Sequence, residues 1–190
     1  MSDPVARALM MVGRPEPYVL GGGDWRPAQP EAPFTLAKRG GAYVRGCDCW
    51  GLVAWAYRQP RRRVGYNKGR WATVSDYVNC DSAIEAAEHG AAGSLWCVVE
   101  APRVGDLLVW PSVRGPGGHR VRIGHVGIVA GVPAEWAPGG FELLDVVQCQ
   151  ASKRPAIMRG TGASWRGRET FRGKTDAAWR TRILRLEGEP

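Results

Sequence analysis

The sequence lacks the long apolar runs of a membrane protein and the leader of an exported one. No stretch of its 190 residues approaches the roughly 18 to 20 uninterrupted apolar residues that span a bilayer. The start, Met1-Ser2-Asp3-Pro4, has neither the basic segment nor the apolar segment of a secretory signal. We therefore expect a protein that is cytoplasmic in the cell that makes it, and that reaches any target outside that cell by another route.

Cysteine and histidine are also scarce, with five and three residues respectively. An odd number of irregularly spaced cysteines, with no Cys-x-x-Cys pair, argues against a disulfide framework. The histidines do not stand at zinc-ligand spacing, so we expect no metal and no other cofactor. Most of the thiols are predicted to be small buried hydrophobic groups. The cysteines are Cys47, Cys49, Cys80, Cys97 and Cys149.

Acidic side chains are outnumbered, with 18 against 26 basic ones, for a net charge of +8. Residues 151–190 carry ten basic and four acidic residues, and residues 58–70 carry six basic and none acidic. Such patches attract nucleic acid, anionic lipid or phosphate-bearing wall polymer, although a merely solvated basic surface has the same composition. The size and the hydrophobic content of 44% suit one domain over 1–190 with a recognisable core at about 5–152.

The hydrophobic patterns predict an α+β fold, because helical patterns come first and a series of strands follows. Residues 24–46, rich in proline, glycine and alanine, are predicted to be a loop. A last strand over 181–186 alternates and is predicted to be half-exposed. Helices are predicted at 4–13, 49–57 and within 73–90, and further strands at 106–110, 125–130 and 143–148.

Cys49 stands where a helix is predicted to begin. The unpaired N–H groups at a helix start favour a thiolate and can donate to an oxyanion. A nucleophilic cysteine needs an imidazole base, and His125 opens a predicted strand. The next strand offers Gln148 and Gln150 on one face, and either one is suited to orient the imidazole.

Four motifs, in order, make the chain resemble the NlpC-type cell-wall cysteine peptidases, whose close relatives are the CHAP amidases. That resemblance implies a papain-like α+β domain, in which N-terminal helices pack on a small antiparallel sheet, and an activity that hydrolyses amide bonds of peptidoglycan peptides. The motifs are PYVLGG at 17–22, DCWGLV at 48–53, RVGDLLVW at 103–110 and HVGIV at 125–129.

The resemblance implies that Cys49 is the nucleophile and His125 the base, and that a polar residue of the following strand completes the triad. Of the two glutamines we favour Gln148, because two apolar residues precede it as in the family, although the Ala-Ser that follows Gln150 also fits. Tyr18, Asp48 and Trp50 are the expected substrate-binding residues. Trp50 departs from the family, which usually has serine after the cysteine. The segment from Cys49 to His125 is longer than usual.

The expected function is therefore a metal-free peptidoglycan hydrolase acting on the periplasmic or extracellular wall, in the manner of a phage or prophage lysin. A secretion-system amidase effector, a thiol acyltransferase or deamidase, and a non-catalytic wall- or nucleic-acid-binding module are the alternatives. The expected partner is bacterial peptidoglycan, with anionic wall polymer or outer membrane as a further partner of the basic tail. We expect a monomer without an obligate protein partner.

Overall fold

A computed structural model describes most of the chain outside the two basic segments. The described residues are 3–28, 30–59, 66–67, 70–71, 80–89, 95–114, 120–122, 124–151, 155–162 and 181–187. The first part of the predicted helical region 73–90 and residues 163–180 of the basic tail lie outside them.

Three α-helices are described, and the predicted helix positions are close to the observed ones. They are α1, Pro4–Met10; α2, Cys49–Ala56; and α3, Cys80–His89. Every residue of α2 is buried, which explains its almost uniformly apolar sequence. Within the described residues no helix is both long enough and apolar enough to cross a membrane.

Twelve strands are described, and most of them are short. They are β1, Thr35–Arg39; β2, Ala42–Gly46; β3, Tyr66–Asn67; β4, Arg70–Trp71; β5, Trp96–Val99; β6, Leu107–Trp110; β7, Val113–Arg114; β8, Arg120–Arg122; β9, His125–Gly131; β10, Asp145–Cys149; β11, Ile157–Thr161; and β12, Arg182–Leu186. Helices and antiparallel strands together confirm the predicted α+β class.

Six of these strands form the main sheet, in the order β11-β10-β9-β6-β12-β5. All the neighbouring pairs are antiparallel. The last strand, β12, thus lies inside the sheet, between β6 and β5. The prediction of a half-exposed strand was wrong for its centre, because Ile183 and Leu184 point to opposite faces and both are buried.

The prediction of a loop over 24–46 was wrong in its second half, where β1 and β2 form an antiparallel hairpin. Its turn is Gly40-Gly41, with φ of +56° and +90°. Two consecutive positive φ values are typical of the tight hairpin turn whose twist matches that of the flanking strands. The Gly-Gly pair between two alternating segments was the available signal.

The helices pack on the sheet in two groups. Helices α1 and α2 contact each other and contact β9 and β10, whereas α3 contacts β5, β6 and β12. One large core cluster joins residues of α1, α2, α3 and the sheet. This packing brings the first residues of α2 next to the strands that carry His125 and Gln148.

Candidate active site

Cys49 is the first residue of α2, and Asp48 caps that helix. The Asp48 carboxylate accepts a hydrogen bond from the backbone N–H of Gly51 at 2.7 Å. Its other oxygen accepts from the N–H of Gly21, also at 2.7 Å. Asp48 therefore caps the start of the helix and links it by a hydrogen bond to the preceding glycine turn at 21–23. The Cys49 side chain is 6% exposed, so it lies at the edge of the core.

The glycine turn that follows Tyr18 packs closely on the start of α2. Asp48 donates its N–H to the carbonyl of Gly22 at 2.9 Å. Gly23 has a φ of +85°, and a Cβ there would lie 2.6 Å from the sulfur of Cys47. A side chain at Gly51 would collide with the backbone of Gly22 and Gly23. These glycines are thus needed for the close approach of two backbones beside Cys49.

His125 lies between Cys49 and Gln148. Its Nε2 atom is 3.0 Å from the side-chain oxygen of Gln148, in a buried contact. An amide oxygen only accepts, so Nε2 carries the hydrogen and Nδ1 is the nitrogen left to serve Cys49. The ring of Trp110 packs against the imidazole with a centroid distance of 5.6 Å. The side chain of His125 is therefore held on two sides.

Several hydrogen-bonding groups adjoin the sulfur of Cys49. It shares hydrogen bonds with the Cys80 thiol, with His125 and with the backbone of Val126. The bond from Cys80 and then the bond and charge of His125 lower the pKa of Cys49 well below its ordinary 9.0, against the opposing effect of burial. The site thus favours the thiolate, which is the nucleophilic form of cysteine.

Two neighbours of Cys49 are shifted in the opposite direction. Burial, followed by the hydrogen bond and charge of Cys49, raises the pKa of the Cys80 thiol well above 9.0. Burial, followed by the charges of Cys49 and Asp48, raises the pKa of the Tyr18 phenol. Both groups stay protonated beside a thiolate, because a second negative charge there is unfavourable.

The residues predicted to bind substrate have internal contacts in this structure. Trp50 is 3% exposed, and its indole N–H donates to the sulfur of Cys80 at 3.3 Å. Asp48 uses both carboxylate oxygens on backbone N–H groups. Tyr18 is half-buried and pairs through its backbone with Cys47. Their contact with substrate stays a prediction.

The two candidate glutamines have different surroundings. Gln148 contacts the imidazole, as described above, and its side chain is fully buried. Gln150 is also buried, and its side-chain nitrogen has no hydrogen-bond partner among the described residues. Its backbone N–H bonds to the carbonyl of Ala156. The structure therefore brings Cys49, His125 and Gln148 together and leaves Gln150 outside the group.

Sequence reasoning missed Cys80, which was grouped with the inert buried thiols. Cys80 is 31 positions after Cys49, and no local pattern connects the two residues. Its place at the start of α3 was the one available signal, since that position resembles the position of Cys49 at the start of α2.

Comparison with known protein families finds a match in the middle of the chain. Residues 38–142, more than half of the chain, match the CHAP domain. This segment contains Cys49 and His125 and ends before Gln148. No curated protein and no solved structure matches the chain. The predicted resemblance is thereby confirmed, and the chain belongs to the CHAP domain family, the cell-wall amidases and peptidases that act on peptidoglycan and are related to the NlpC-type and papain-like peptidases.

Proposed function

We propose that this protein hydrolyses an amide bond of the peptidoglycan peptide by a papain-like thiol mechanism. Cys49 is the nucleophile, His125 the general base and acid, and Gln148 the residue that orients the imidazole. The observation that carries the proposal is the position of the His125 ring, which contacts Cys49 on one side and Gln148 on the other.

The first half of the reaction forms an acyl-enzyme. His125 holds the proton that leaves the Cys49 thiol, and the sulfur attacks the amide carbonyl carbon. The negative charge that develops on the carbonyl oxygen lies near the first backbone N–H groups of α2, which have no carbonyl partner inside the helix. The imidazolium then gives its proton to the departing amine as the C–N bond breaks.

The second half releases the acid. His125 takes a proton from water, the resulting hydroxide attacks the thioester, and the sulfur leaves as the thiolate. The amide of Gln148 is neutral, so it fixes the direction of the ring and supplies no full charge to the imidazolium. The proposed steps need no metal ion, because sulfur is the nucleophile and backbone N–H groups receive the oxyanion.

The test compares the purified protein with its Cys49→Ala variant on isolated peptidoglycan, with the released products identified by mass. We expect the wild type to release fragments and the variant to release none. New amines on the first alanine of the stem indicate an amidase, and new amines within the stem or cross-bridge indicate an endopeptidase. If neither protein releases fragments from walls of several compositions, the proposed hydrolysis is refuted.

A matched control is the Cys97→Ala variant. Cys97 lies on β5, and its sulfur contacts the carbonyl of Arg185 at 3.6 Å, so it belongs to another part of the sheet. We expect this variant to cleave at the wild-type rate. Comparing Cys49→Ala with Cys97→Ala distinguishes the effect of losing the nucleophile from the effect of losing a cysteine elsewhere in the fold.

A further inference from the structure

A second sulfur lies in the site, and the reaction proposed above makes no use of it. Cys80 is the first residue of α3 and is 3% exposed. It shares a hydrogen bond with Cys49. Its sulfur lies 3.3 Å from the indole nitrogen of Trp50, the residue after Cys49, so Cys80 belongs to the immediate surroundings of the reacting atom.

The direction of the hydrogen bond between the two sulfurs follows from a third group. The indole Nε1–H of Trp50 lies 3.3 Å from the sulfur of Cys80. An indole N–H only donates, so the Cys80 sulfur is the acceptor in that contact. The single hydrogen of the Cys80 thiol is then left for Cys49. A chain of donors runs from Trp50 through Cys80 to Cys49.

The position of Cys80 is fixed by contacts on both sides of it. The neighbouring carboxylate of Asp81 accepts a hydrogen bond from the backbone N–H of Ser112 at 2.7 Å. Gly124, which directly precedes His125, passes so close that a Cβ there would lie 2.7 Å from the Cβ of Cys80. The glycine before the catalytic histidine thus leaves space for the second thiol.

We propose that Cys80 assists the nucleophile by donating its S–H hydrogen to the sulfur of Cys49. A catalytic role for this hydrogen bond rests on the proposed function, in which Cys49 is the nucleophile. A thiol is a weak donor to neutral groups, but a bond to a charged acceptor is stronger. The residue after the nucleophile in this chain is Trp50, and its indole N–H orients that donor. Among the residues that the structure describes, the titratable groups that face Cys49 or its immediate surroundings are His125, Cys80, Tyr18, Asp48, Asp81 and Cys149.

The test measures how fast iodoacetamide alkylates Cys49 between pH 4 and pH 10, with each alkylated cysteine located by peptide mass spectrometry. Losing a donor to the thiolate makes proton release harder, so Cys80→Ala is expected to move the midpoint for Cys49 upward. A shift of about one pH unit corresponds to an about tenfold lower rate at pH values below both midpoints. Cys80→Ser keeps a donor and is expected to restore the wild-type midpoint.

The control and the refuting outcomes are defined by the same measurement. The Cys97→Ala variant is expected to keep the wild-type profile for Cys49. A wild-type profile in Cys80→Ala would overturn the inference. Equal upward shifts in Cys80→Ala and Cys80→Ser would also overturn it, because a change of packing alone produces that result. Should Cys80→Ala not fold, the wild type decides, since alkylation of Cys80 ahead of Cys49 at pH 7 contradicts a protonated donor.

Alkylation needs no wall substrate, so the two proposals fail separately. Wild-type cleavage of peptidoglycan with an unshifted Cys80→Ala profile would reject only the role of Cys80. The expected shift without any cleavage would reject only peptidoglycan as the substrate.

Discussion

The two ring nitrogens of His125 serve two different side chains, Gln148 and Cys49. Gln148 accepts from Nε2 at 3.0 Å, and Cys49 is left with Nδ1. A carboxylate in place of the glutamine would attract the imidazolium, whereas the amide only directs it. The position of the ring therefore depends on the buried hydrogen bond with Gln148 and on the packing of Trp110.

The substitution Gln148→Leu tests that hydrogen bond. Loss of a bond to a group that becomes charged costs about 1.5–3 kcal/mol, so we expect kcat to fall on the order of tenfold to a hundredfold with little change in KM. The measurement is steady-state release of peptidoglycan fragments. Gln150→Leu is the matched control, since the Gln150 side chain is buried and its nitrogen has no partner in the part of the chain that the structure describes. A larger loss of kcat in the control would reassign the orienting role to Gln150.

Among the residues of the site, the sequence predicted those that lie in a local pattern. Cys49 follows a capping residue at a helix start, and His125 opens a strand next to glycines. The choice between Gln148 and Gln150 was open because both lie on the same face of one strand, and what separates them is the buried side-chain contact of Gln148 with His125. Cys80 comes from a different element, so its contact with Cys49 depends on the packing of α3 on the sheet.

At the scale of elements, the start of α2 is a junction between the helix and the glycine turn. Asp48 is 3% exposed and accepts from one N–H in each of them, at Gly51 and Gly21. A helix cap contributes about 1 kcal/mol to stability, and a buried N–H without a partner costs about as much again or more. The geometry that places Cys49 is thus coupled to the fold of the preceding segment.

The variant Asp48→Ala is expected to lower the free energy of unfolding by about 2–3 kcal/mol, because both N–H groups lose their acceptor. Asp48→Ser keeps a side-chain oxygen that can cap the helix, so its free energy of unfolding is expected to fall by about half as much. Denaturant unfolding of the two variants and the wild type gives the values. If Asp48 instead serves mainly to bind substrate, both variants will keep wild-type stability while KM rises.

The elements found from the sequence are those with a strong period or a clear boundary. The helix over α2 has a capping residue before it and Pro60 after it, and the strands β6 and β9 are continuous apolar runs. The β1–β2 hairpin was missed because the proline- and glycine-rich composition before it resembles a loop. The alternation of β12 predicted a strand but not its place between β6 and β5, since that pairing joins residues about 80 apart.

At the scale of the whole molecule, the sheet joins the proposed catalytic strands to the end of the chain. Strand β9, which carries His125, pairs with β6, and β6 pairs with β12. Arg185 of β12 also binds both carboxylate oxygens of Asp106 at 2.8 Å, and that carboxylate is 2% exposed. The last strand therefore supports the fold, and the charge of the tail cannot be studied by cutting the tail away.

A chain that ends at Arg180 is expected to lose cooperative folding. It loses the buried side chains of Ile183 and Leu184, each contributing about 1.5–3 kcal/mol, and it leaves Asp106 without Arg185. It also removes the strand that connects β5 to the rest of the sheet. Together these losses approach the 5–15 kcal/mol that typically stabilises a domain. Calorimetry is expected to show no thermal transition for this chain and a wild-type transition for one that ends at Glu187. A cooperative transition and peptidoglycan cleavage in the shorter chain would show that the sheet closes without β12.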